Sequence, residues 1–435
     1  MSVLSDRQRE ELNKSILEYL HAQGHEGAFE AVRREAGLGD YAPDGKGRFA
    51  DLLEKKWLST IRLQKKIMGL ESKVALLEQE LQAAPSARRG AALADWYPRS
   101  PARHVLYGHR QPVTQVAFHP QFTMVATAGE DASIKIWDWE TGELEQTLKG
   151  HTKAVQSIDF DHAGQHLVSC SSDLSLKVWD VADAWRNVRT LHGHEHSVSD
   201  VKYLPGDRFI VSASRDRTLR VWETSSGYCT RTLLGHSDWV RTVAVSDDAR
   251  WFASGSSDQT VIVWDAASGE KRHELRGHEH VVECVAFAPV GAYDALRTLA
   301  GIRPPRDDPS AHAPGLYIAS GSRDKTIRLW TQQGECLRVL SGHDNWVRAL
   351  VFSPNGKHLL SVADDKTMRI WDLASGRCIK TVDCHAHFTT CIAWGRSRVA
   401  APAANGTSSL HDAPSQPVNV VATGSVDLSV KIWAP

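Results

Sequence analysis

The sequence predicts an all-β seven-bladed β-propeller, preceded by a small all-α segment and a short coiled coil. A pattern of about 42 residues, with His near one end and Trp near the other, occurs seven times, and Gly precedes the His in six of the copies. Within each copy, short apolar stretches of period two are separated by Gly, Ser and Asp, which is typical of four antiparallel strands. Residues 1–39 and 53–82 show helical periodicity instead. The chain is therefore divided into two kinds of structure.

Each copy carries four polar or aromatic side chains at fixed spacing, seen most clearly as His236, Ser254, Asp258 and Trp264. In all seven copies a Ser or Thr lies four residues before the Asp, and the Trp lies six residues after it. The seven histidines are His109, His151, His194, His236, His278, His343 and His385. Buried donors and acceptors need partners. We therefore expect these four residues, called a brace below, to hydrogen bond within each blade rather than bind metal or catalyse.

Residues 1–39 predict two short helices. Leu12, Ile16 and Leu20 fall on one face of the first helix, and Phe29 is apolar in the second. Two helices of this length cannot bury enough apolar surface on their own. We therefore expect this segment to form a dimer with a second copy of the chain.

Residues 53–82 predict a parallel two-stranded coiled coil. Branched residues at heptad position a with Leu at position d favour that state. The dimerising positions are Leu63, Ile67, Leu70, Val74 and Leu77. A single amphipathic helix packed on its own protein remains an alternative. Residues 83–101, rich in Ala, Pro and Arg, predict a linker.

The propeller is predicted over residues 102–435, with its last blade assembled from both ends of that range. Residues 103–107 have the pattern of a fourth strand, whereas the seventh copy ends at Trp433 without one. Joining the two removes free sheet edges. Two copies are longer than the others because of Gly291–Gly315 and Gly395–Pro417, which lie between first and second strands. Both insertions are predicted to be mobile loops.

Alternating strand direction places the turns that hold the brace His and Asp on one face of the propeller. Basic and indole side chains gather in these turns in blades three to six. They are Arg215, Trp239, Arg241, Arg323, Trp346, Arg348 and Lys366. Exposed Trp and Arg dominate many interfaces, so the pattern predicts a surface for an acidic protein partner. A solvated charged surface, with the Trp rings partly packed between blades, remains the alternative.

Composition and missing motifs exclude several function classes. The formal net charge of −1 gives no bulk attraction to nucleic acid. Met1 to Arg9 has no apolar core of a signal peptide, and no stretch reaches the roughly 18 apolar residues of a membrane helix. No nucleophile-elbow, zinc-protease or phosphate-loop motif is present. We expect a non-enzymatic protein without cofactor, metal or membrane insertion, in a compartment that keeps thiols reduced.

The N-terminal stretch LSDRQREELNKSILEYLHAQGHEGAFEAVRREAGL resembles a LisH dimerisation motif. The following WLSTIRLQKKIMGLESKV fits a short coiled coil, and phrases such as SASRDRTLRVWE, GHDNWVRAL and ADDKTMRIWD resemble WD40 repeats. This order, over nearly the whole chain, resembles the lissencephaly/nuclear-distribution (NudF-type) family of cytoplasmic dynein regulators. The fold alone hosts many functions, so the N-terminal half carries much of the likeness.

The resemblance implies a non-enzymatic homodimer whose propellers bind the motor domain of the cytoplasmic dynein heavy chain. It implies control of the motor's microtubule attachment and motility in nuclear migration, spindle positioning and retrograde transport. A further implied partner is a NudE/NudEL-type coiled-coil adaptor. The implied locations are the cytoplasm and cytoskeleton, at microtubule plus ends, spindle poles and the nuclear envelope surface. The family's motor-contacting positions match Arg215, Arg241, Arg323, Trp346 and Lys366.

Two other functions remain open from the sequence. One is a LisH–WD40 scaffold of a nuclear repressor or ubiquitin-ligase complex, against which stands the lack of an acidic face for basic histone tails. The other is the role of a non-catalytic subunit of a platelet-activating-factor acetylhydrolase, which some family members have and which does not exclude motor binding.

Overall fold

A computed structural model describes residues 6–38, 41–43, 67–68, 96–302, 313–398 and 417–435. The chain forms two compact units, Met1–Arg89 and Gly90–Pro435. Of the expected coiled coil, only residues 67 and 68 are described; both are helical, and Ile67 is exposed. The other expected seam positions, Leu63, Leu70, Val74 and Leu77, lie outside the described residues, so the coiled coil remains a prediction.

The first unit contains helices α1 (Asp6–Ala22) and α2 (Glu26–Glu35). Gly24 joins them in a left-handed conformation, with φ of 75°, which glycine adopts without a steric penalty. Leu17 is fully buried in this unit although the predicted apolar face did not include it, and Phe29 is also buried. Leu12 is exposed, and Ile16 and Leu20 are only half-buried. Of the predicted dimer residues in this unit, Leu12, Ile16 and Leu20 are therefore accessible in the single chain, whereas Phe29 is not.

The second unit is a seven-bladed propeller, as the repeats predict, and each blade is a four-stranded antiparallel sheet. Strand β1 covers His104–Tyr107. Blade 1 contains β2 to β5: Val113–Phe118, Met124–Gly129, Ser133–Asp138 and Leu144–Lys149. Blade 2 contains β6 to β9: Val155–Phe160, His166–Ser171, Ser175–Asp180 and Arg186–His192. Blade 3 contains β10 to β13: Val198–Tyr203, Phe209–Ser214, Thr218–Glu223 and Cys229–Leu234.

Blades 4 to 7 follow the same order. Blade 4 contains β14 to β17: Val240–Val245, Trp251–Ser256, Val261–Asp265 and Lys271–Leu275. Blade 5 contains β18 to β21: Val282–Phe287, Tyr317–Ser322, Thr326–Thr331 and Cys336–Ser341. Blade 6 contains β22 to β25: Val347–Phe352, His358–Ala363, Thr367–Asp372 and Arg377–Asp383. Blade 7 contains β26 to β28, Thr389–Arg398, Pro417–Ser425 and Ser429–Trp433, and takes β1 as its fourth strand.

The pairing of β1 with β28 closes the ring. The register is antiparallel, from His104 opposite Ile432 to Tyr107 opposite Ser429. Leu106 points into the core and is 3% exposed, whereas Tyr107 is 72% exposed. A strand from the start of the propeller thus covers the edge that its last strand would otherwise leave free.

The core lies between neighbouring blades. The second strand of a blade is buried almost throughout, as in β19, whereas the fourth strand is largely exposed, as in β13. Between blades 2 and 3, for example, Val178 packs in one cluster with Val201, Ile210 and Trp222. The β-branched and aromatic residues of the repeats fit this arrangement because they pack well on pleated surfaces.

The interpretation of both insertions as mobile loops is wrong for the parts that the structure describes. Residues Val290–Ala292 form a 3₁₀ turn, followed by helix α3 (Tyr293–Ala300). Tyr293 and Leu296, three residues apart on one helical face, are buried against the core of blades 5 and 6. The second insertion instead lengthens β26 and β27, whose pairing continues to Arg398 opposite Pro417.

Residues 96–101, within the expected linker, pack against the propeller. The Trp96 ring lies edge-on to Trp394 with centroids 5.7 Å apart. The Tyr97 ring lies 5.5 Å from the His358 ring. His358 is the first residue of the second strand of blade 6, so this contact lies at the end of the propeller where each first strand turns into the second strand. This end is called the opposite face below. The chain then continues into β1.

Candidate partner-binding face

Each brace closes on itself through buried hydrogen bonds. In blade 4, His236 Nδ1 lies 2.8 Å from Asp258 Oδ2, and His236 Nε2 lies 2.7 Å from Ser254 Oγ. The Trp264 indole N–H donates to the same Ser254 Oγ at 2.8 Å. Each such bond contributes about 0.5–1.5 kcal/mol net. The braces are thus occupied in holding the blades together.

The brace aspartate also fixes the turn that follows it. Asp258 accepts hydrogen bonds from the backbone N–H of Ser237 and from the backbone N–H and hydroxyl of Thr260. Burial alone would raise the pKa of this carboxyl, but the bonds from His236 and Thr260 outweigh it and hold the pKa far below its ordinary value. In this turn Gln259 takes a left-handed φ of 71°. The end of the propeller with these turns is called the brace face below.

Two Trp rings on the brace face are each flanked by two guanidinium groups. The Cζ atoms of Arg215 and Arg241 lie 5.0 and 5.5 Å from the Trp239 ring centroid. Those of Arg323 and Arg348 lie 4.2 and 5.1 Å from the Trp346 ring centroid. Cation–π contacts of this kind contribute about 0.5–2 kcal/mol each, so the rings restrain the arginines. The residues Arg215, Arg241, Arg323 and Arg348 are called the arginine cluster below.

Two carboxylates that the sequence did not single out hold half of this cluster. Glu283 pairs with Arg323 and lies 3.9 Å from Arg348. Asp364 accepts two parallel hydrogen bonds from Arg348, at 2.8 and 2.9 Å. Both carboxylates are buried or nearly so. Bidentate pairing of this kind fixes the direction of a guanidinium as well as its charge.

A positional signal for these carboxylates exists in the repeats. Glu283 lies five residues after a brace His, as do Arg241 and Arg348. Asp364 lies one residue before a brace Asp, as do Arg215 and Arg323. The two positions contact each other within a blade, because Arg241 donates to Ser257 at 3.1 Å in blade 4 just as Arg348 donates to Asp364 in blade 6. Comparing the copies at these positions could have found both acids.

The other half of the cluster lacks a compensating acid. Among the described residues, neither Arg215 nor Arg241 forms an ion pair, and the buried Nε of Arg215 has no hydrogen-bond partner. Burial lowers the pKa of Arg241; Glu283 opposes this, while Arg323, Arg215 and Arg348 lower it further. The other three guanidinium groups are therefore close enough to Arg241 to repel its charge.

The cluster borders the central channel of the propeller. The channel has a volume of about 770 Å³, and its lining includes Arg215, Arg241, Glu283 and Arg348. Trp239 beside it is 38% exposed. The brace face therefore offers indole surface and positive charge around an open cavity, a combination that suits an acidic partner.

Comparisons with known proteins agree with this architecture. Residues 6–41 match the PAC1 LisH domain. The WD domain, G-beta repeat, matches residues 101–138, 142–180, 185–223, 227–265, 269–331 and 334–372. The nuclear distribution protein PAC1 of Coprinopsis cinerea is 56% identical over 440 residues, covering all of both chains. The chain belongs to the PAC1 nuclear distribution family.

Other PAC1 proteins are equally similar to this chain. The one from Mycosarcoma maydis is 59% identical over 441 residues, covering all of this chain and 97% of the relative. The one from Cryptococcus neoformans var. neoformans serotype D is also 59% identical over 441 residues, covering all of both. The LisH motif and WD repeats predicted from the sequence are thus confirmed for this PAC1-family chain.

The structure brings together six of the seven residues predicted for partner binding. Arg215, Trp239 and Arg241 form one stack, and Arg323, Trp346 and Arg348 form the other. Lys366, the seventh, is exposed in the turn that follows Asp364, with a left-handed φ of 69°. This arrangement makes the face a defined surface of basic and indole side chains.

Neither a metal site nor a membrane-spanning helix is seen in the parts of the chain that the structure describes. No group of three or more His, Cys, Asp or Glu side chains is arranged to hold a metal ion. Nor does any described helix combine the length and apolarity required to cross a membrane. Burial raises the pKa of the Cys384 thiol to about 12, and the adjacent His385 belongs to the brace of blade 7.

Proposed function

We propose that this PAC1-family chain is a homodimeric, non-enzymatic regulator of cytoplasmic dynein, and that its brace face binds the motor domain of the heavy chain. The observation that carries the proposal is the arginine cluster stacked on Trp239 and Trp346. Trp and Arg are the residue types that most often dominate the energy of an interface. The whole-length similarity to PAC1 nuclear distribution proteins supports a role in nuclear positioning.

The charge of the face favours an acidic surface on the motor. Arg215, Arg241 and Lys366 form no ion pair among the described residues, so a partner carboxylate does not need to displace one. Arg323 and Arg348 are already directed by Glu283 and Asp364, so little side-chain entropy is lost when they make contact. Preorganised arginines favour binding for this reason.

Regulation would follow from a difference in affinity for the conformational states of the motor. A bound propeller can shift the motor only by the amount by which it binds one state more tightly than another. A dimer formed through Leu12, Ile16, Leu20 and Phe29 would add avidity, because two propellers could then engage one dynein or a pair of motors. The accessibility of Leu12 in the single chain supports this self-association.

The remaining parts of the proposal concern cellular context. A NudE/NudEL-type coiled-coil adaptor would be a further partner, and contact with microtubules would come through dynein. The protein would then act in the cytoplasm and on the cytoskeleton, at microtubule plus ends, spindle poles and the nuclear envelope surface. These assignments follow from the family resemblance and from the nuclear distribution names of the relatives.

The proposal is tested by equilibrium binding of the full-length chain to purified cytoplasmic dynein motor domain. We expect saturable binding with a dissociation constant of roughly 1 μM or tighter at about 0.15 M ionic strength. The affinity should fall as salt is raised, because exposed charges are then screened. Absence of binding, or binding that ignores salt, would contradict the proposal.

A further inference from the structure

We propose that the arginine cluster forms a binding site for a small polyphosphorylated anion. The site lies at the end of the central channel on the brace face, called the mouth below. Binding of the anion would not require a motor domain. Arg215, Arg241 and Arg348 line the channel, and Arg323 adjoins them through Glu283. The channel volume of about 770 Å³ lies within the range of small-molecule sites, which is about 300–1,000 Å³.

The four guanidinium groups of the cluster converge, and too few carboxylates lie near them to neutralise their charge. This excess of positive charge favours a multivalent anion. Glu283 and Asp364 pair with arginines of the cluster and Glu130 also lines the channel, so three negative charges stand against the four positive charges. The buried Nε of Arg215 has no hydrogen-bond partner among the described residues, and Arg241 donates only to the neutral hydroxyl of Ser257. A bound anion would accept these donors and relieve the repulsion between the guanidinium groups.

Phosphate is the chemistry that the donors fit. The fork of a guanidinium matches the oxygens of a phosphate in bidentate fashion, and a phosphate carries more charge than a carboxylate. One acidic side chain would offer a single charge to four arginines, whereas vicinal phosphates on one small molecule can face several arginines together. The same chemistry occurs on a free inositol polyphosphate and on a phosphoinositide headgroup.

The channel below the mouth would keep the anion near the brace face. Asp159 and Asp200 also line the channel, at positions of the first strands that come after those of Arg241 and Arg348. The Lys202 Nζ atom lies 3.3 Å from Asp159 Oδ1. Asp200 accepts hydrogen bonds from Ser157 and Thr242. Two carboxylates against one amine make this lower part acidic. A polyphosphate would be attracted to the mouth and repelled from the interior.

Occupation of this site would regulate partner binding, a consequence that rests on the proposed function. Arg215 and Arg241 belong both to the proposed motor contact and to the anion site, so an anion and the motor would compete for them. The anion site itself is tested without any motor domain. Its failure and the failure of motor binding are therefore distinguishable.

The experiment is calorimetric titration of inositol hexakisphosphate into the full-length protein at about 0.15 M ionic strength. We expect one molecule bound per chain. Arg215→Ala and Arg241→Ala should each weaken binding by about tenfold or more. Glu283→Gln, which removes one negative charge from the mouth but keeps an amide oxygen that can accept hydrogen bonds from Arg323 and Arg348, should tighten it several-fold. An unfolded variant cannot show such a gain, so this variant separates loss of the site from loss of the fold.

The matched control is Arg217→Ala with Lys325→Ala. Both residues are exposed in turns of the brace face, and neither lines the channel. This control should change the affinity less than twofold. No binding of inositol hexakisphosphate, several molecules per chain, or an equal loss in the control would overturn the proposal.

A parallel arm uses vesicles of phosphatidylcholine with and without phosphatidylinositol 4,5-bisphosphate. If inositol hexakisphosphate binds and the vesicles do not, the natural ligand is a soluble polyphosphate. If both bind and both respond to Arg241→Ala and Glu283→Gln, a lipid headgroup can also supply the ligand. Vesicle binding without binding of the free compound would overturn a site at the channel mouth.

Discussion

Neutralising Arg215, Arg241 and Lys366 together, each to Gln, is expected to weaken motor-domain binding by about 100-fold or more, or roughly 2.7 kcal/mol. Each residue would lose a charge-assisted contact with an acidic partner, and such contacts contribute about 1.5–3 kcal/mol each. The thermal unfolding temperature should fall by only about a few degrees, because the variant loses the stacking of Arg215 and Arg241 on Trp239 but breaks no ion pair within the described residues. Equilibrium binding and circular dichroism measure the two quantities.

The structure decides which arginines this variant leaves intact. Arg323 and Arg348 pair with Glu283 and Asp364, and removing one partner of a buried pair costs about 3–5 kcal/mol. Changing them would confound loss of binding with loss of folding. Arg215, Arg241 and Lys366 avoid this difficulty.

The control for this variant removes the same charge from the opposite face. It changes three exposed residues to Gln: Arg208, Arg250 and Arg377. These residues lie in turns at the opposite face or directly next to such turns. This control should bind the motor domain within about twofold of the unmodified chain, a change of roughly 0.4 kcal/mol. If both triple variants lose binding equally, general electrostatic attraction rather than the brace face explains the interaction.

Removing residues 102–107 is expected to abolish cooperative unfolding of the propeller. The deletion takes away β1, exposes the unpaired edge of β28 and uncovers the core that Leu106 fills together with Val113, Trp137 and Val430. A free sheet edge also promotes association between chains. The deleted protein should therefore unfold without a sharp transition or should aggregate, as measured by circular dichroism and light scattering.

Two point variants of the same strand provide a matched comparison. Leu106→Asp buries a charge at a site that is 3% exposed, and we expect it to cost at least about 3 kcal/mol of unfolding free energy. Tyr107→Asp changes the neighbouring residue, which is 72% exposed, and should cost less than about 1 kcal/mol. Equal melting of the two variants would show that β1 does not hold the ring closed.

Much of the propeller was predictable because each element depends on a pattern within one repeat. The first two strands of blade 4 were predicted at Val240–Val245 and Trp251–Ser256, where the structure has them, and the third begins at Val261, one residue later than predicted. The brace was predictable in the same way, because its four residues, His236, Ser254, Asp258 and Trp264, have a fixed spacing within one repeat. The direction of the strands then follows from their order.

Features that depend on contacts between repeats were harder to predict. Glu283 lies in blade 5 but approaches Arg348 of blade 6, and only a comparison of the two copies at the same position indicates this contact. Helix α3 was missed because the Pro, Ala and Gly content of its insertion outweighed the spacing of Tyr293 and Leu296. Leu17 was missed because only one apolar face was assigned to helix α1, whereas the helix packs through two faces.

The measurement that tests the central claim most directly is hydrogen–deuterium exchange of the full-length chain with and without the motor domain. We expect slower exchange in the turns around Arg215, Trp239, Trp346 and Lys366, because a partner on the brace face would exclude water there. Helix α3, at the opposite face, should exchange at the same rate in both states. Protection of α3 with no change in the four turns would contradict the assignment of the brace face as the motor-binding surface.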